Sequence, residues 1–145
     1  MSKKTLDNLV DNIYTKLNNL NQGVSLDITQ EEADEFGKAM SAALLHWSVP
    51  YKKKKQSLRM SNIGKPARQL WFDANSKNKQ TTAVAPSTHI KFLYGHLLEE
   101  VVLMLVRLAG YKVTDQQKEV KVSGILGHMD CKINGEVIDV KSASN

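Results

Sequence analysis

The sequence has only one cysteine, Cys131, among its 145 residues. A single cysteine excludes an internal disulfide and any zinc or iron–sulfur site that needs several cysteines from this chain. The sequence also lacks an apolar run long enough to cross a bilayer, since the longest, residues 101–106, is short and lies within a helical pattern. The first residues lead into an amphipathic stretch without a secretory signal. We therefore expect a cytoplasmic protein that has no membrane partner.

Acidic residues are scarce in one part of the chain. Residues 51–80 contain nine Lys or Arg residues and a single acidic residue, Asp73. Because the whole chain carries a net charge of +5, the remaining residues are net negative. Such a local excess of positive charge is typical of a segment that contacts a polyanion. For the lysine run at residues 52–55 alone, a solvated loop is an equal alternative.

The length and the hydrophobic content of 41% predict one domain with a single core. Apolar residues recur at helical spacing over residues 5–20, 29–47 and 87–109, and a shorter helix is predicted at 68–72. Thr29 and Glu32 form a capping box, Ser87 or Thr88 is the predicted N-cap of the last helix, and Gly110 ends that helix. The second half of this helix is apolar on nearly all sides, which predicts a central, buried position. Strands are predicted at 118–122, 125–133 and 136–142, so the fold class is α+β, with helices followed by a meander of strands.

The dipeptide Asn134-Gly135, between the last two predicted strands, is a strong signal for a hairpin with a two-residue turn. Pairing outward from this turn places Asp130 opposite Asp139. The alternation of side chains then predicts two faces. The core face carries Met129, Cys131, Ile133, Ile138 and Val140, with Met129 opposite Val140. The other face is polar and carries His128, Asp130, Lys132, Asp139 and Lys141, with His128 opposite Lys141.

The predicted pair of carboxylates points to a bound cation. Directly opposed residues have Cβ atoms about 4.5–5.5 Å apart, and like charges at that separation destabilise a sheet. A divalent cation would offset the repulsion between Asp130 and Asp139, since Mg²⁺ takes one or two carboxylates together with phosphate oxygens and waters. Lys141 lies on the same face and could hold a water or a phosphate beside the metal. The alternative is an ordinary polar face whose charges are relieved by Lys132, Lys141 or solvent.

The spacing of these residues resembles a known signature. Asp130, eight further residues and then Asp139-Val140-Lys141 resemble the motif of the PD-(D/E)XK nuclease superfamily, which ends in an acid, any residue and a lysine. Gly95 and Glu99 on the preceding helix resemble the Gly-x-x-x-Glu element of the lambda-exonuclease and RecB-like branches. Residues 61–72, with Ser61, Pro66-Ala67-Arg68 and Trp71, look like the segment that precedes the core in RecB-like nucleases. The resemblance covers residues 59–145 and is phage-type, so the expected location is the host cytoplasm if a phage encodes the protein.

The resemblance implies a restriction-endonuclease-like α/β/α core and metal-dependent hydrolysis of DNA. Glu99, Asp130, Asp139 and the backbone carbonyl of Val140 would bind Mg²⁺ or Mn²⁺. Lys141 would position the attacking water or stabilise charge on the phosphate. Helical spacing alone does not separate Glu99 from Glu100, and only the distance from Gly95 favours Glu99.

The resemblance also guides the reading of the basic segment, residues 51–86. Lys65, Arg68 and Ser61 are the predicted phosphate contacts, with Arg59 as a weaker one. Relatives with an iron–sulfur cluster carry a cysteine near the position of Lys65, so no such cluster is expected. Trp71 and Phe72 could stack on bases, but core positions are favoured for both. His96 and His128 are favoured as structural residues, although His128 shares the predicted metal face.

The family fold continues after the D-x-K strand with further strands and a helix bearing Gln and Tyr. Since the sequence stops at Asn145, we expect the nuclease core, residues 87–145, to be incomplete at this end or completed by a homo-oligomer. Residues 1–50 form an N-terminal helical segment without a readable signature. The favoured function is an exonuclease acting on DNA ends in recombination, repair or phage DNA processing. The alternatives are a non-catalytic nucleic-acid-binding module and a structure- or sequence-specific endonuclease.

Overall fold

The computed structural model describes residues 4–50, 59–75 and 83–141. The four α-helices of this part of the chain are α1 (Leu9–Asn21), α2 (Gln30–Ser48), α3 (Ala67–Asn75) and α4 (Pro86–Leu108), and short 3-10 helices lie at Leu6–Asn8 and Met60–Asn62. The strands are β1 (Val113–Thr114), β2 (Lys118–Val122), β3 (Ile125–Met129), β4 (Cys131–Ile133) and β5 (Glu136–Ile138). All of these strands follow α4, which agrees with the predicted α+β class. Within the described ranges, no helix combines the length and the apolar character needed to cross a membrane.

The ends of the helices show which local signals determine them. At the start of α2, the Thr29 hydroxyl accepts from the Glu32 amide at 3.2 Å and the Glu32 carboxylate accepts from the Thr29 amide at 2.8 Å, which confirms the capping box. Helix α4 begins earlier than predicted, with Ala85 as its N-cap, so the prediction of Ser87 or Thr88 was wrong. The reason is Pro86, whose fixed φ favours the first helical position. Gly110 follows α4 with φ +80°, the left-handed conformation that commonly terminates a helix.

The strands form two antiparallel sheets, one of three strands in the order β1-β4-β5 and one of two strands, β2-β3. Asn134 and Gly135 both have positive φ, which makes the connection between β4 and β5 a tight hairpin turn. The predicted register is confirmed where these strands pair, with Cys131 opposite Ile138 and Ile133 opposite Glu136.

Beyond Cys131 the predicted hairpin was wrong. The strand predicted at 125–133 is interrupted at Asp130, and its first half pairs with β2. Met129 therefore lies opposite Lys118, and His128 lies opposite Glu119, so the predicted partners of these two residues do not hold. The physical cause is a second tight turn at residues 123–124, where both residues have positive φ and direct β3 back onto β2. Side chains keep alternating between the two faces when a strand changes its partner. The sequence pattern therefore does not reveal the change.

The core lies between the C-terminal half of α4 and the three-stranded sheet. Its buried residues are Leu103, Val106, Ala109, Tyr111, Cys131 and Ile133. Partly buried residues from the N-terminal helices, such as Leu9 and Ile13, pack against it. The predicted central position therefore holds for the second half of α4, and Cys131 lies on the core side as predicted. The first half of α4 instead exposes Phe92 and Leu98, which leaves that half free to form the wall of a cleft.

The N-terminal residues close one end of this core through Tyr111. The Tyr111 hydroxyl accepts from Asn12 Nδ2 at 2.8 Å and lies 2.8 Å from Asn8 Oδ1 and 3.0 Å from the Thr5 carbonyl, either of which can accept its proton. Lys4 Nζ donates to the carbonyl of Ala109 at 2.8 Å, at the C-terminal end of α4, where a positive charge is favoured by the helix dipole. The first described residues are thus part of the domain that carries the candidate site.

Candidate active site

A cleft of about 500 Å³ lies between the first half of α4 and the strand connections. Its lining contains four of the predicted site residues: Glu99, Asp130, Val140 and Lys141. Of the two neighbouring glutamates, Glu99 lines this cleft and Glu100 does not. The Glu100 carboxylate has one buried oxygen, Oε2, without a hydrogen-bond partner among the described residues.

Asp130 is fixed at the junction of the two sheets. It is the single residue between β3 and β4, and its Oδ2 accepts a hydrogen bond from the Val140 amide at 2.8 Å. Its backbone carbonyl accepts from the Gln117 amide at 2.8 Å. The last paired residues of the hairpin are Cys131 and Ile138, and the predicted pair of Asp130 and Asp139 would come next. At this position the Asp130 side chain, through its bond to the Val140 amide, makes the contact with the opposite segment. The hydrogen bond from the Val140 amide therefore holds the Asp130 side chain at the cleft.

Glu99 reaches the same cleft from α4. Burial raises the pKa of Glu99, and the negative charges of Asp130 and Glu100 raise it further. Two interactions act in the opposite direction, a hydrogen bond from Gln117 and the nearby His96. A carboxylate that is desolvated close to a second carboxylate favours a proton or a cation beside it.

Gln117 is a site residue that the sequence analysis missed. Its Nε2 donates to Glu99 Oε1 at 2.7 Å, and it lines the cleft. The backbone of Gln117 has φ +50°, a conformation that is uncommon for a residue other than glycine. No sequence motif marks a glutamine for this conformation, so the signal was absent. The left-handed backbone places the side chain on Glu99 while its amide binds Asp130.

Lys141 and Asp139 form an ion pair at the edge of the cleft, with Nζ 2.8 Å from Oδ1. Asp139 raises the pKa of Lys141, and Asp130 and Glu99 add to this effect. The same hydrogen bond lowers the pKa of Asp139, so both groups are charged at neutral pH. Lys141 lines the cleft, whereas Asp139, which was also predicted to be a metal ligand, does not line it and is bonded to the lysine.

The cleft contains oxygen donors of the kind that bind a metal ion. Glu99 and Asp130 offer carboxylates, and Val140, whose amide is bonded to Asp130, lines the same cleft. No group of three or more His, Cys, Asp or Glu side chains within residues 4–50, 59–75 and 83–141 is arranged to hold a metal. The two carboxylates of the cleft match an ion of the magnesium type, which binds one or two carboxylates and completes its shell with water and phosphate oxygens.

The residues predicted to contact DNA lie in different places in the structure. Arg59 and Ser61 line a second, larger cleft of about 1540 Å³. Lys65 and Arg68 line neither cleft: Lys65 lies 3.7 Å from Asp73, and the Arg68 guanidinium lies over the Phe72 ring. The lysines at residues 52–55, 77 and 79 fall outside the described residues. Pro50 and Arg59, which flank the first of these stretches, both line the larger cleft.

Two aromatic residues and one histidine depart from their predicted positions. Trp71 and Phe72 are 60% and 47% exposed, so the core positions favoured for them were wrong. The reason is that α3 buries none of its nine residues, although its sequence is amphipathic. His128 does not share the face of Lys141. It lies 3.7 Å from Glu119 and lines the larger cleft, because β3 pairs with β2.

Comparison of the chain with protein-family models, curated proteins and solved structures finds no match. The resemblance to the PD-(D/E)XK superfamily therefore stays a prediction that depends on the residues named above. The geometry contributes an independent fact. Glu99 of α4, Asp130 between β3 and β4, and Lys141 after β5 meet at one cleft.

Proposed function

We propose that this protein is a Mg²⁺- or Mn²⁺-dependent DNA nuclease, an exonuclease that hydrolyses phosphodiester bonds at DNA ends. The observation that carries the proposal is the convergence of Glu99, Asp130, Val140 and Lys141 on one cleft. Two carboxylates in a partly desolvated cleft, with an ammonium group beside them, are the groups that metal-assisted phosphodiester hydrolysis uses.

Glu99 and Asp130 would hold the cation, together with the carbonyl of Val140 and, once released from Lys141, the carboxylate of Asp139. When bound, the cation lowers the pKa of a water molecule and neutralises charge that develops on the phosphate. The hydrogen bond from the Val140 amide orients Asp130, and the hydrogen bond from Gln117 orients Glu99. These contacts fix the two carboxylates before substrate binds.

Lys141 would supply a positively charged side chain beside the metal ion. Its raised pKa keeps the ammonium group charged through the neutral range. In the reaction it would leave Asp139 and donate a hydrogen bond to a non-bridging phosphate oxygen or to the attacking water. Because both Lys141 and Asp139 are exposed, their ion pair is weak and a phosphate can replace it readily.

The test is digestion of linear and covalently closed circular DNA with Mg²⁺, with Mn²⁺ and with EDTA. We expect degradation of the linear form only, and only with metal. Asp130→Asn and Lys141→Ala should each lower the rate at least about 100-fold while DNA binding is retained. Glu100→Gln is the matched control for Glu99→Gln, because the two glutamates are neighbours and only Glu99 lines the cleft. Cleavage of the closed circle would identify an endonuclease instead, and equal activity in Glu99→Gln and Glu100→Gln would refute the assigned site.

A non-catalytic nucleic-acid-binding module is the second candidate, and one observation favours it. Lys141 is neutralised by its ion pair with Asp139. In that case the protein would bind DNA with strong salt dependence but without any need for metal. Two results would select this candidate. The unmutated protein would bind DNA in EDTA with strong salt dependence, and it would give no cleavage product with metal.

A further inference from the structure

The larger cleft adjoins the candidate active site. Phe92, His96 and Gln117 line both clefts and form the wall between them. Gln117 is bonded to Glu99, so this wall connects directly to the carboxylates. A chain-like ligand that lies in the larger cleft would therefore reach Glu99 and Asp130 at one end.

Six aromatic rings line the larger cleft. All four histidines of the chain contribute to it, together with Trp47 and Phe92. His46 and His96 are in edge-to-face contact with ring centroids 5.7 Å apart, and His89 and Phe92 with centroids 6.4 Å apart. The indole of Trp47 donates from Nε1 to the His89 carbonyl at 2.8 Å, which fixes its orientation. Phe92 is 53% exposed, so about half of its surface is available to a ligand.

Charged groups of both signs line the larger cleft. The described lining residues include one guanidinium, Arg59, and one carboxylate, that of Glu119. Arg59 is held in place by a backbone bridge to Leu126 of β3, and Ser61 beside it adds a hydroxyl. A single strand is bound by aromatic side chains that stack on its unpaired bases, together with basic groups that follow its backbone. The bases of a duplex are already paired and stacked on one another, so they are not available to such rings.

We propose that the larger cleft binds single-stranded DNA, whose bases stack on Phe92 and neighbouring rings and whose backbone continues past Gln117 to Glu99 and Asp130. Arg59 and Ser61 would contact phosphates at the far end. This inference rests on the proposed nuclease function and narrows its substrate to a single strand or to the single-stranded end of a duplex. Aromatic rings stack on any base, so the binding would be tolerant of sequence.

The first experiment measures binding without hydrolysis. Fluorescence anisotropy in EDTA compares a labelled oligo(dT) with a duplex and with an oligo(rU) of the same length, at one salt concentration. We expect the DNA single strand to bind at least about 10-fold more tightly than the duplex. Phe92→Ala should weaken this binding about 5- to 100-fold, the range for loss of one stacking ring. Tyr94→Ala is the control, because Tyr94 is an exposed ring of the same helix that lines neither cleft.

The second experiment measures the fluorescence of a tryptophan that lines the larger cleft. Trp47 and Trp71 are the two tryptophans of the chain, and only Trp47 lines the larger cleft. In a Trp71→Phe variant, oligo(dT) should therefore quench the remaining fluorescence, and Phe92→Ala should weaken that response. An unchanged Trp47 signal would overturn the proposal, as would tighter binding of the duplex or of oligo(rU), or equal affinities of Phe92→Ala and Tyr94→Ala.

The two proposals can fail separately. Single-strand binding in EDTA that depends on Phe92, without any metal-dependent product, would retain the binding cleft and reject the nuclease. Metal-dependent cleavage of duplex DNA that is the same in Phe92→Ala and Tyr94→Ala would retain the nuclease and reject the single-strand cleft. Circular dichroism of each variant verifies that the fold is intact, which is expected because both residues are largely exposed.

Discussion

Gln117 Nε2 donates a hydrogen bond to Glu99 Oε1 at 2.7 Å, and this contact joins the residue before β2 to a carboxylate of α4. Because the hydrogen bond lowers the pKa of Glu99, its loss in Gln117→Ala should raise that pKa further. A metal ligand must be deprotonated, so the acid limb of the pH–activity profile should move to higher pH. Activity at neutral pH should fall about 10- to 100-fold, as for other residues that orient metal ligands.

The control for this prediction is the neighbouring Gln116→Ala, since Gln116 bonds Arg107 on the other side of the connection. A role in folding alone would lower the amount of active enzyme without moving the acid limb. An unchanged profile in Gln117→Ala would therefore contradict the positioning role.

Replacement of Glu99 by glutamine should stabilise the protein when no metal is present. The pKa of Glu99 is raised by folding, so the folded state holds the proton more tightly than the unfolded state does. Stability then falls as pH rises from the unfolded pKa through the folded pKa, and it stays lower above that window. Glu99→Gln removes this penalty, and its melting temperature at pH 7 should exceed that of the wild type by a few degrees at most, because solvent screens a half-buried group.

Below the unfolded pKa the Glu99→Gln difference should disappear, which checks the sign of the effect. Addition of Mg²⁺ should raise the melting temperature of the wild type more than that of Glu99→Gln, by mass action on the folded state. Glu100→Gln should respond to Mg²⁺ like the wild type. A wild-type melting temperature that is insensitive to Mg²⁺ would argue against a cation at Glu99.

Asp130 should reveal two separable roles when it is replaced by asparagine and by alanine. Asparagine keeps an oxygen that can accept from the Val140 amide, whereas alanine leaves that amide without its 2.8 Å partner. We expect Asp130→Ala to lose about 1–3 kcal/mol of unfolding free energy. Asp130→Asn should stay close to the wild type in stability, and both variants should lose metal-dependent cleavage. Urea denaturation beside the digestion assay measures the two effects, and equal stabilities of the two variants would show that the Val140 contact is unimportant.

The contact between Tyr111 and the N-terminal residues should matter for stability alone. Tyr111 is buried, and its hydroxyl lies within 3.0 Å of groups on Thr5, Asn8 and Asn12. Tyr111→Phe should lower the unfolding free energy by about 1–2 kcal/mol. The exposed Tyr94→Phe is the control and should have no effect. The turnover rate of folded Tyr111→Phe protein should equal that of the wild type, and a large loss would mean that the N-terminal helices also shape the cleft.

The parts of the fold that could be predicted from the sequence are those fixed by contacts close along the chain. Thr29 and Glu32 satisfy each other's backbone amides, so the start of α2 depends on four consecutive residues. Asn134 and Gly135 tolerate positive φ, and this property alone set the register that brings Cys131 opposite Ile138. Glu99 was selected by its distance from Gly95 and does line the cleft with Asp130 and Lys141.

The remaining features depend on contacts between distant residues. The interruption at Asp130 occurs because β3 finds a partner in β2, and an alternating pattern looks the same on either side of such a change. Gln117 adopts its left-handed backbone because its amide and side chain bind Asp130 and Glu99. The strand β1 has two residues, too few for any periodic pattern. Core positions were wrongly favoured for Trp71 and Phe72, because an amphipathic pattern does not guarantee that another element covers the apolar face of the helix.

The single residue between β3 and β4 has a further consequence for how the carboxylates are assembled. Asp130 belongs to the end of one sheet and the start of the other, while Glu99 belongs to a helix that precedes both. No locally folded fragment of the chain can bring the two together, so cation affinity would report on completed tertiary folding. A cation held at Asp130 would in turn link the opening motions of the two sheets, and amide hydrogen exchange in β3 and β5 would slow together.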